Sequence, residues 1–282
     1  MRGQVMPIPP FTLRSIFHPT DFSRPSQVAF AHALKLALEA KAELRIMHVG
    51  MATPSWGEFP QVRETLAQWG LLPPGSAKNA VSKLGLQVEK VRARGGDPFK
   101  SILRDLERKP VDLIVLATHQ RRGFARWMHE AIAEPIARQS GVMTLFVPPR
   151  STGFVSVQDG IVNLCQIVIP VCRVPPPRSA VNAVIGLSQL VKTLNTSCVV
   201  MHVGMRDEMP KLPLPDGLGV SWTQTVQDGD IVEQILQSAD EQSADLIAMV
   251  TRGHKGFLDA LRGSTTERIV REARCPVLAI TK

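Results

Sequence analysis

The chain has 282 residues, 44% hydrophobic and 21% charged, with a formal net charge of +8. That length allows two ordinary domains, and no apolar run reaches membrane-span length, so the chain reads as a soluble globular protein with no membrane partner. Lys and Arg are spread along the sequence apart from small clusters such as Arg121-Arg122. With no basic helix, zinc-finger spacing or aromatic-rich RNA-binding stretch, the charge reads as a solvated surface rather than a nucleic-acid groove.

In chain order, 13–17 reads as a strand ending at His18-Pro19-Thr20-Asp21, followed by a helix over 28–40 and a second strand over 44–49. Residues 52–85 form a Pro- and Gly-punctuated surplus with a helical stretch around 62–69. It leaves the end of the second strand and carries Trp56, Phe59 and Trp69, which either cover the first half's strand-end pocket as a lid or extend the core. A third strand is expected over 86–93, a helix from Asp97-Pro98 to about Arg108, a strand over 112–117, a helix over 131–139 and a fifth strand over 142–147. Residues 150–165 read as a hairpin joint with an Asp159-Gly160 turn. The second half repeats the plan: strand 167–171, helix 179–194, strand 198–203, a Pro-rich loop, strand 220–226, a helix from Gly229 to about Gln242, strand 246–250, helix 266–273 and strand 276–280.

The repetition is literal in places. Met47-His48-Val49-Gly50-Met51 recurs as Met201-His202-Val203-Gly204-Met205, and Val111-Asp112-Leu113-Ile114-Val115 recurs as Ala244-Asp245-Leu246-Ile247-Ala248. Alternating strands and helices argue for α/β architecture, a doubly wound parallel sheet in each half. The division is a first domain over 1–149, the joint, and a second domain over 166–282. The two final strands, short and apolar, would be exposed edges if unpaired, which predicts that they pair with each other as in a pseudo-dimer. The first 15 residues lack the apolar core of a signal peptide, and Cys165, Cys172, Cys198 and Cys275 show no CxxC spacing, which suits buried free thiols in a reducing cytoplasm.

The stretch with most chemical content is 244–282. Its strand is followed by Gly253, nine further residues, and Gly263-Ser264-Thr265 opening a helix. Glycine at a strand end permits close backbone approach, and a helix opening offers N–H groups and positive dipole to an anion. From spacing alone the favoured reading is a plain capping box between Ser264 and Glu267, which needs no ligand.

Thr251-Arg252-Gly253, the nine-residue gap, Gly263-Ser264-Thr265-Thr266-Glu267-Arg268 and Cys275-Pro276-Val277-Leu278 together resemble the signature of the universal stress protein family. The first glycine of that pattern is Val250 here. The resemblance implies two five-stranded sheets of order 3-2-1-4-5, a stress-response role and an ATP site. That site is built from the ends of the first and second strands and from the glycine loop. Carried over by position, the first half keeps Pro19-Thr20-Asp21 and His48-Val49 but has Gln120, Glu130 and Ala131 where the second half has Gly253, Gly263 and Ser264. Glu130 would repel phosphates, so ATP is expected in the second half only. There the implied contacts are Val171, Cys172, Val203, Val250, Arg252, Gly253, Gly263, Ser264 and Thr265. The family's usual carboxylate near the sugar is replaced by Cys172, read as a small buried hydrophobe, and His202 is read as a packed residue.

No GxSxG, HExxH, Walker lysine or ligand-spaced His/Cys pair occurs, so no catalytic or metal residue is assigned. The expected role is an ATP-binding or sensing module without turnover, in the cytoplasm, with an unidentified protein partner and room for homodimerisation. The alternatives are a scaffold or client-binding protein with decayed nucleotide sites, and a small-molecule enzyme such as a nucleotide hydrolase.

Overall fold

The computed structural model describes residues 11–52, 54–118, 133–215, 217–251 and 265–281. The elements run β1 (Ser15–Pro19), α1 (Arg24–Ala40), β2 (Glu43–Gly50), α2 (Val62–Gln68), α3 (Ala80–Lys83), β3 (Gln87–Arg94), α4 (Pro98–Arg108), β4 (Leu113–Ala117), α5 (Ala133–Ser140) and β5 (Met143–Val147). The second half follows with β6 (Gln166–Pro170), α6 (Arg178–Leu190), β7 (Thr196–Val203), β8 (Val220–Gln227), α7 (Ile231–Glu241), β9 (Leu246–Thr251), α8 (Thr265–Glu272) and β10 (Val277–Thr281). Three of the helix starts have a side-chain cap. Ser23 caps α1 by accepting from Ser26 N, Asp97 caps α4 through Lys100 N, and Asp230 caps α7 through Val232 N and Glu233 N.

The strands form one ten-stranded sheet of order β3-β2-β1-β4-β5-β10-β9-β6-β7-β8. Each half has the expected 3-2-1-4-5 order with parallel neighbours, and among the described strands of the sheet β5 and β10 pair antiparallel. The anticipated cross-pairing of the final strands is therefore present. Leu145 lies opposite Leu278, its mate in the repeat, so the pair sits on the pseudo-two-fold axis.

Alternation along the strands sends side chains into two cores, one on each face. Ile16, Leu44, Ile46, Leu145 and Leu278 join α1 and α6 on one face, while Phe17, Met47, Phe146 and Val277 join α4, α5, α7 and α8 on the other. The recurring Asp explains part of the repeat. Asp112 Oδ2 accepts from Arg14 N and Ser15 N at 2.7 and 2.9 Å, and Asp245 Oδ2 accepts from Cys165 N and Gln166 N at the same two distances. Each aspartate fastens the start of its half's first strand.

The joint is a short hairpin that turns at Asp159-Gly160. Val155 pairs antiparallel with Val162, Asn163 N donates to Phe154 O at 2.8 Å and Ser156 N to Ile161 O at 2.9 Å, and the hairpin is also stitched to the first half. His32 Nε2 accepts from Phe154 N and Val155 N at 3.0 and 3.2 Å, and Trp69 Nε1 donates to Val157 O at 3.0 Å. Gly160 sits at φ +69, and a Cβ there would lie 2.5 Å from the Trp69 ring. Gly160→Ala should therefore lower stability by about 1–3 kcal/mol in urea denaturation, from backbone strain and the clash together. The thiols also depart from expectation. Cys198 and Cys275 are buried, and burial pushes both up to about 12, but Cys165 and Cys172 are exposed.

Candidate functional site

In each half the strand order reverses beside the first strand, between β1 and β4 and between β6 and β9, where sheets of this kind receive ligands. The two positions are built differently.

In the first half, Thr20 N donates to Met47 O at 2.8 Å, and Thr20 Oγ1 accepts from Phe22 N and Ser26 Oγ. Asp21 Oδ1 accepts from Ser23 N at 3.0 Å. This turn holds Phe22 at φ +63, a left-handed conformation uncommon for a bulky residue. Its ring stacks on His48, with centroids 4.2 Å apart and planes 19° from parallel, and Phe59 meets it edge-on at 5.5 Å. His48 is fixed in turn by its Nδ1, which donates to Thr20 O at 2.8 Å. Phe59 is buried, and Trp56 beside it carries the Arg92 guanidinium 3.7 Å from its ring centre. The ends of β1 and β2 are thus covered by the chain's own aromatic side chains. Of the two expectations for the 52–85 surplus, the packing gives core extension: Phe59 and Trp69 both join the α1-side core, Phe59 also meeting Phe22 at the strand ends and Trp69 gripping the joint.

Among the described residues the second half shows no such stack. Cys172 was expected to be a small buried hydrophobe. It is exposed because the chain leaves the sheet at Pro170, and its Sγ turns back to Val174 O at 3.2 Å. Val171 is buried, its N–H donates to Met201 O at 2.8 Å, and its carbonyl accepts from His202 Nδ1 at 3.0 Å. Its N–H is therefore spent. Strand alternation turns the main chain of Val203 toward β6, one step past Pro170↔Met201, the last pair of that ladder. Val250 lies near the end of β9, half-buried against the α6-side core, and Thr265 opens α8.

His202 was read as a packed residue, and it is packed, but it is also polar machinery the sequence reading missed. With Nδ1 donating, Nε2 is left as an acceptor, buried and, among the described residues, without a hydrogen-bond partner. It points toward Gly204, which sits at φ +133 and where a Cβ would lie 3.3 Å from it. A buried acceptor left unmatched costs stability and calls for a donor. The repeated Met-His-Val-Gly sequence was the available signal, since it places one histidine at each site.

The loop residues Arg252, Gly253, Gly263 and Ser264, with the proposed Ser264–Glu267 capping box, lie outside the described residues, as do Gln120, Glu130 and Ala131. Just beyond them, Glu134 of α5 and Glu267 of α8 occupy equivalent places in the repeat. Burial, and then the charge of Glu267, raise Glu134 to about 7. Among the described residues no group of three or more His, Cys, Asp or Glu is placed to hold a metal ion, and no helix is long and apolar enough to cross a membrane. A cavity of about 460 Å³ lies elsewhere, at the joint, lined by Lys35, Trp69, Asp159, Ile161, Lys192 and Leu194 among others.

A profile of the Universal stress protein family matches residues 12–148 and 174–281. A universal stress protein of Methanocaldococcus jannaschii is 38% identical over 64 residues, which is 23% of this chain and 38% of that protein. One of Bacillus subtilis is 29% identical over 139 residues, 45% of this chain and 93% of that protein. Among solved structures, a universal stress protein of Archaeoglobus fulgidus superposes with a TM-score of 0.61 at 17% identity, covering 95% of this chain and 98% of that one.

Proposed function

Because this chain belongs to the universal stress protein family, we propose that it is a cytoplasmic stress-response module that binds or senses one adenine nucleotide per chain, without turnover. The nucleotide is ATP, and it is held by the second half. Two domains, 1–149 and 166–282, divide the work: the first is closed and structural, the second open to ligand.

The observation that carries this reading is the contrast between the two strand-end positions. Phe22, His48 and Phe59 occupy the first, whereas the second has a buried acceptor at His202 Nε2, unmatched among the described residues, and an outward-facing main chain at Val203. A ribose hydroxyl or an adenine amino group is a donor of the kind His202 lacks. Val171, Cys172 and Val250 flank that place. The glycine loop, with Arg252, Gly253, Gly263, Ser264 and Thr265, would supply backbone N–H groups and a guanidinium to the phosphates.

Cys172 cannot replace a carboxylate as a charge-assisted acceptor. That loss, about 1.5–3 kcal/mol, should weaken ATP roughly 10- to 100-fold relative to a site with the carboxylate. Calorimetric titration of wild type, Gly263→Glu and Glu130→Gly with ATP tests the assignment. One site in wild type, abolished by Gly263→Glu and unaltered by Glu130→Gly, is the expected result. Two sites, or unchanged binding in Gly263→Glu, would overturn it. No binding in any of the three would favour a scaffold whose nucleotide sites have decayed, and ATP turnover lost in Gly263→Glu would favour a hydrolase.

A further inference from the structure

The sheet ends in two edges that are equivalent in the repeat, β3 and β8, and they are defended differently. On β3, Gln87 N donates to Ala42 O and Gly95 N donates to Gly50 O, so odd-numbered residues turn their main chain toward β2. Val88, Lys90, Arg92 and Arg94 therefore direct N–H and C=O groups outward. A two-fold antiparallel pairing of this edge with a second copy, centred anywhere from Lys90 to Arg94, would oppose basic residues to one another, and one centred on Glu89 would oppose that carboxylate to itself. Like charges directly opposite are destabilising, and charged edges are a standard guard against such pairing.

On β8 the same bookkeeping applies. Thr196 N donates to Gly219 O and Gly204 N donates to Gln227 O, so Val220, Trp222, Gln224 and Val226 direct their main-chain groups outward. The strand, Val-Ser-Trp-Thr-Gln-Thr-Val-Gln, carries no charge, no proline and no glycine over its eight residues. Thr223 and Gln224, at its middle, are exposed, and among the described residues no strand lies beyond it. It carries neither the charges nor the prolines that usually guard an edge.

We propose that β8 is a homodimer interface, pairing antiparallel with β8 of a second copy of this chain to make one continuous sheet. The register follows from which groups point outward. A two-fold axis at Thr223 puts Val220 opposite Val226 and Trp222 opposite Gln224 of the second copy, so all four outward residues enter hydrogen-bonded pairs. An axis one residue away, at Gln224, leaves Val220 without a strand partner. At the Thr223 axis the opposed side chains are Val with Val, Trp with Gln, Ser221 with Thr225 and Thr223 with itself, all neutral. A second copy therefore meets no repulsion here, unlike at β3, and supplies a strand of matching length.

Light scattering of the purified full chain should give about twice the 30.9 kDa of one chain. Thr223→Lys, which opposes two ammonium groups on the axis, should weaken self-association on the order of tenfold or more. Thr223 is exposed, so folding of the variant is checked simply by circular dichroism. In a Cys165→Ser/Cys172→Ser background, Thr223→Cys should form a disulfide-linked dimer on mild oxidation. Residues facing across a non-hydrogen-bonded antiparallel pair have Cα atoms about 4.5 Å apart, within disulfide reach. Gln224→Cys, whose two copies are offset along the strand, should not cross-link. A monomer at every concentration would overturn the proposal, as would a dimer indifferent to Thr223→Lys, or equal cross-linking at 223 and 224. A monomer that instead pairs β8 with a foreign extended peptide overturns it too.

Discussion

Asp105→Ala should destabilise the chain by about 3–5 kcal/mol, the loss expected when one member of a buried ion pair is removed. Arg45 of β2 is 2% exposed, and its Nε lies 3.1 Å from Asp105 Oδ2. Nη2 donates to Lys109 O at 2.7 Å, and the guanidinium stands 5.3 Å from the Phe17 ring centre. Without Asp105, a charge that cannot be neutralised stays in the core with one carbonyl and one aromatic face for company. The second half shows that the fold does not need the pair, because the equivalent positions there are Val199 and Ser238, both buried. Arg45→Val/Asp105→Ser, which copies that arrangement, should stay within about 1 kcal/mol of wild type or exceed it. Urea denaturation of the single and double variants separates the two cases. A mild effect of Asp105→Ala alone would mean that solvent reaches Arg45.

That ion pair also marks where sequence reading stops. Strand positions, the 3-2-1-4-5 order and the pairing of the last strands were legible because runs such as 113–117 and 246–250 are apolar at every residue, and because the repeat placed them twice. The family resemblance supplied the strand order itself, which periodicity cannot. Side-chain partnerships across large sequence separations had no such signal: Arg45 with Asp105, His32 with Phe154, and Trp69 with Val157. The closed first site was half legible. Phe59 announced itself as an aromatic in the surplus, but the positive φ of Phe22 depends on hydrogen bonds within its turn, which composition does not report. Cys172 was misjudged for a similar reason. Its burial depended on whether the strand went on past Pro170, and the prolines that follow carry the chain away.

Acidification from pH 7 to pH 4 should cost the folded chain roughly 3–6 kcal/mol, and the slope identifies the groups responsible. His18 and His32 are both 0% exposed, and burial lowers each to about 4 from an ordinary 6.5. Burial disfavours their charged form, and each Nδ1 donates to a carbonyl, Val115 O for His18 and Val28 O for His32. For His32, Nε2 must also stay a bare acceptor for the two joint amides. A folded pKa below the unfolded one means that unfolding takes up a proton between pH 4 and 6.5. Stability from each histidine is therefore complete above pH 6.5 and falls by about 1.4 kcal/mol per pH unit below it, or about 3 kcal/mol in all. Glu134 works in the opposite sense. Raised to about 7 from 4.5, it holds a proton in the folded chain that the unfolded chain releases, so its contribution is full below pH 4.5 and is lost as pH rises to 7. Because it is only partly buried, solvent screening makes its effect smaller than that of either histidine. Near pH 5.5, then, two histidines pull stability down on acidification and one carboxyl partly offsets them. Glu134→Gln should steepen the fall toward about 2.7 kcal/mol per pH unit, and His32→Ala should flatten it by about 1.4. His32→Ala should also lower stability at pH 7.5 by about 2–4 kcal/mol, since Phe154 N and Val155 N lose their acceptor. Urea midpoints measured from pH 4.5 to 7.5 give both slopes. If wild-type stability does not change with pH across that range, the histidines are not held neutral by burial. The hold of the first half on the joint would then be assigned to the end of α2, where Gln68 donates to Gln158 O and Trp69 to Val157 O.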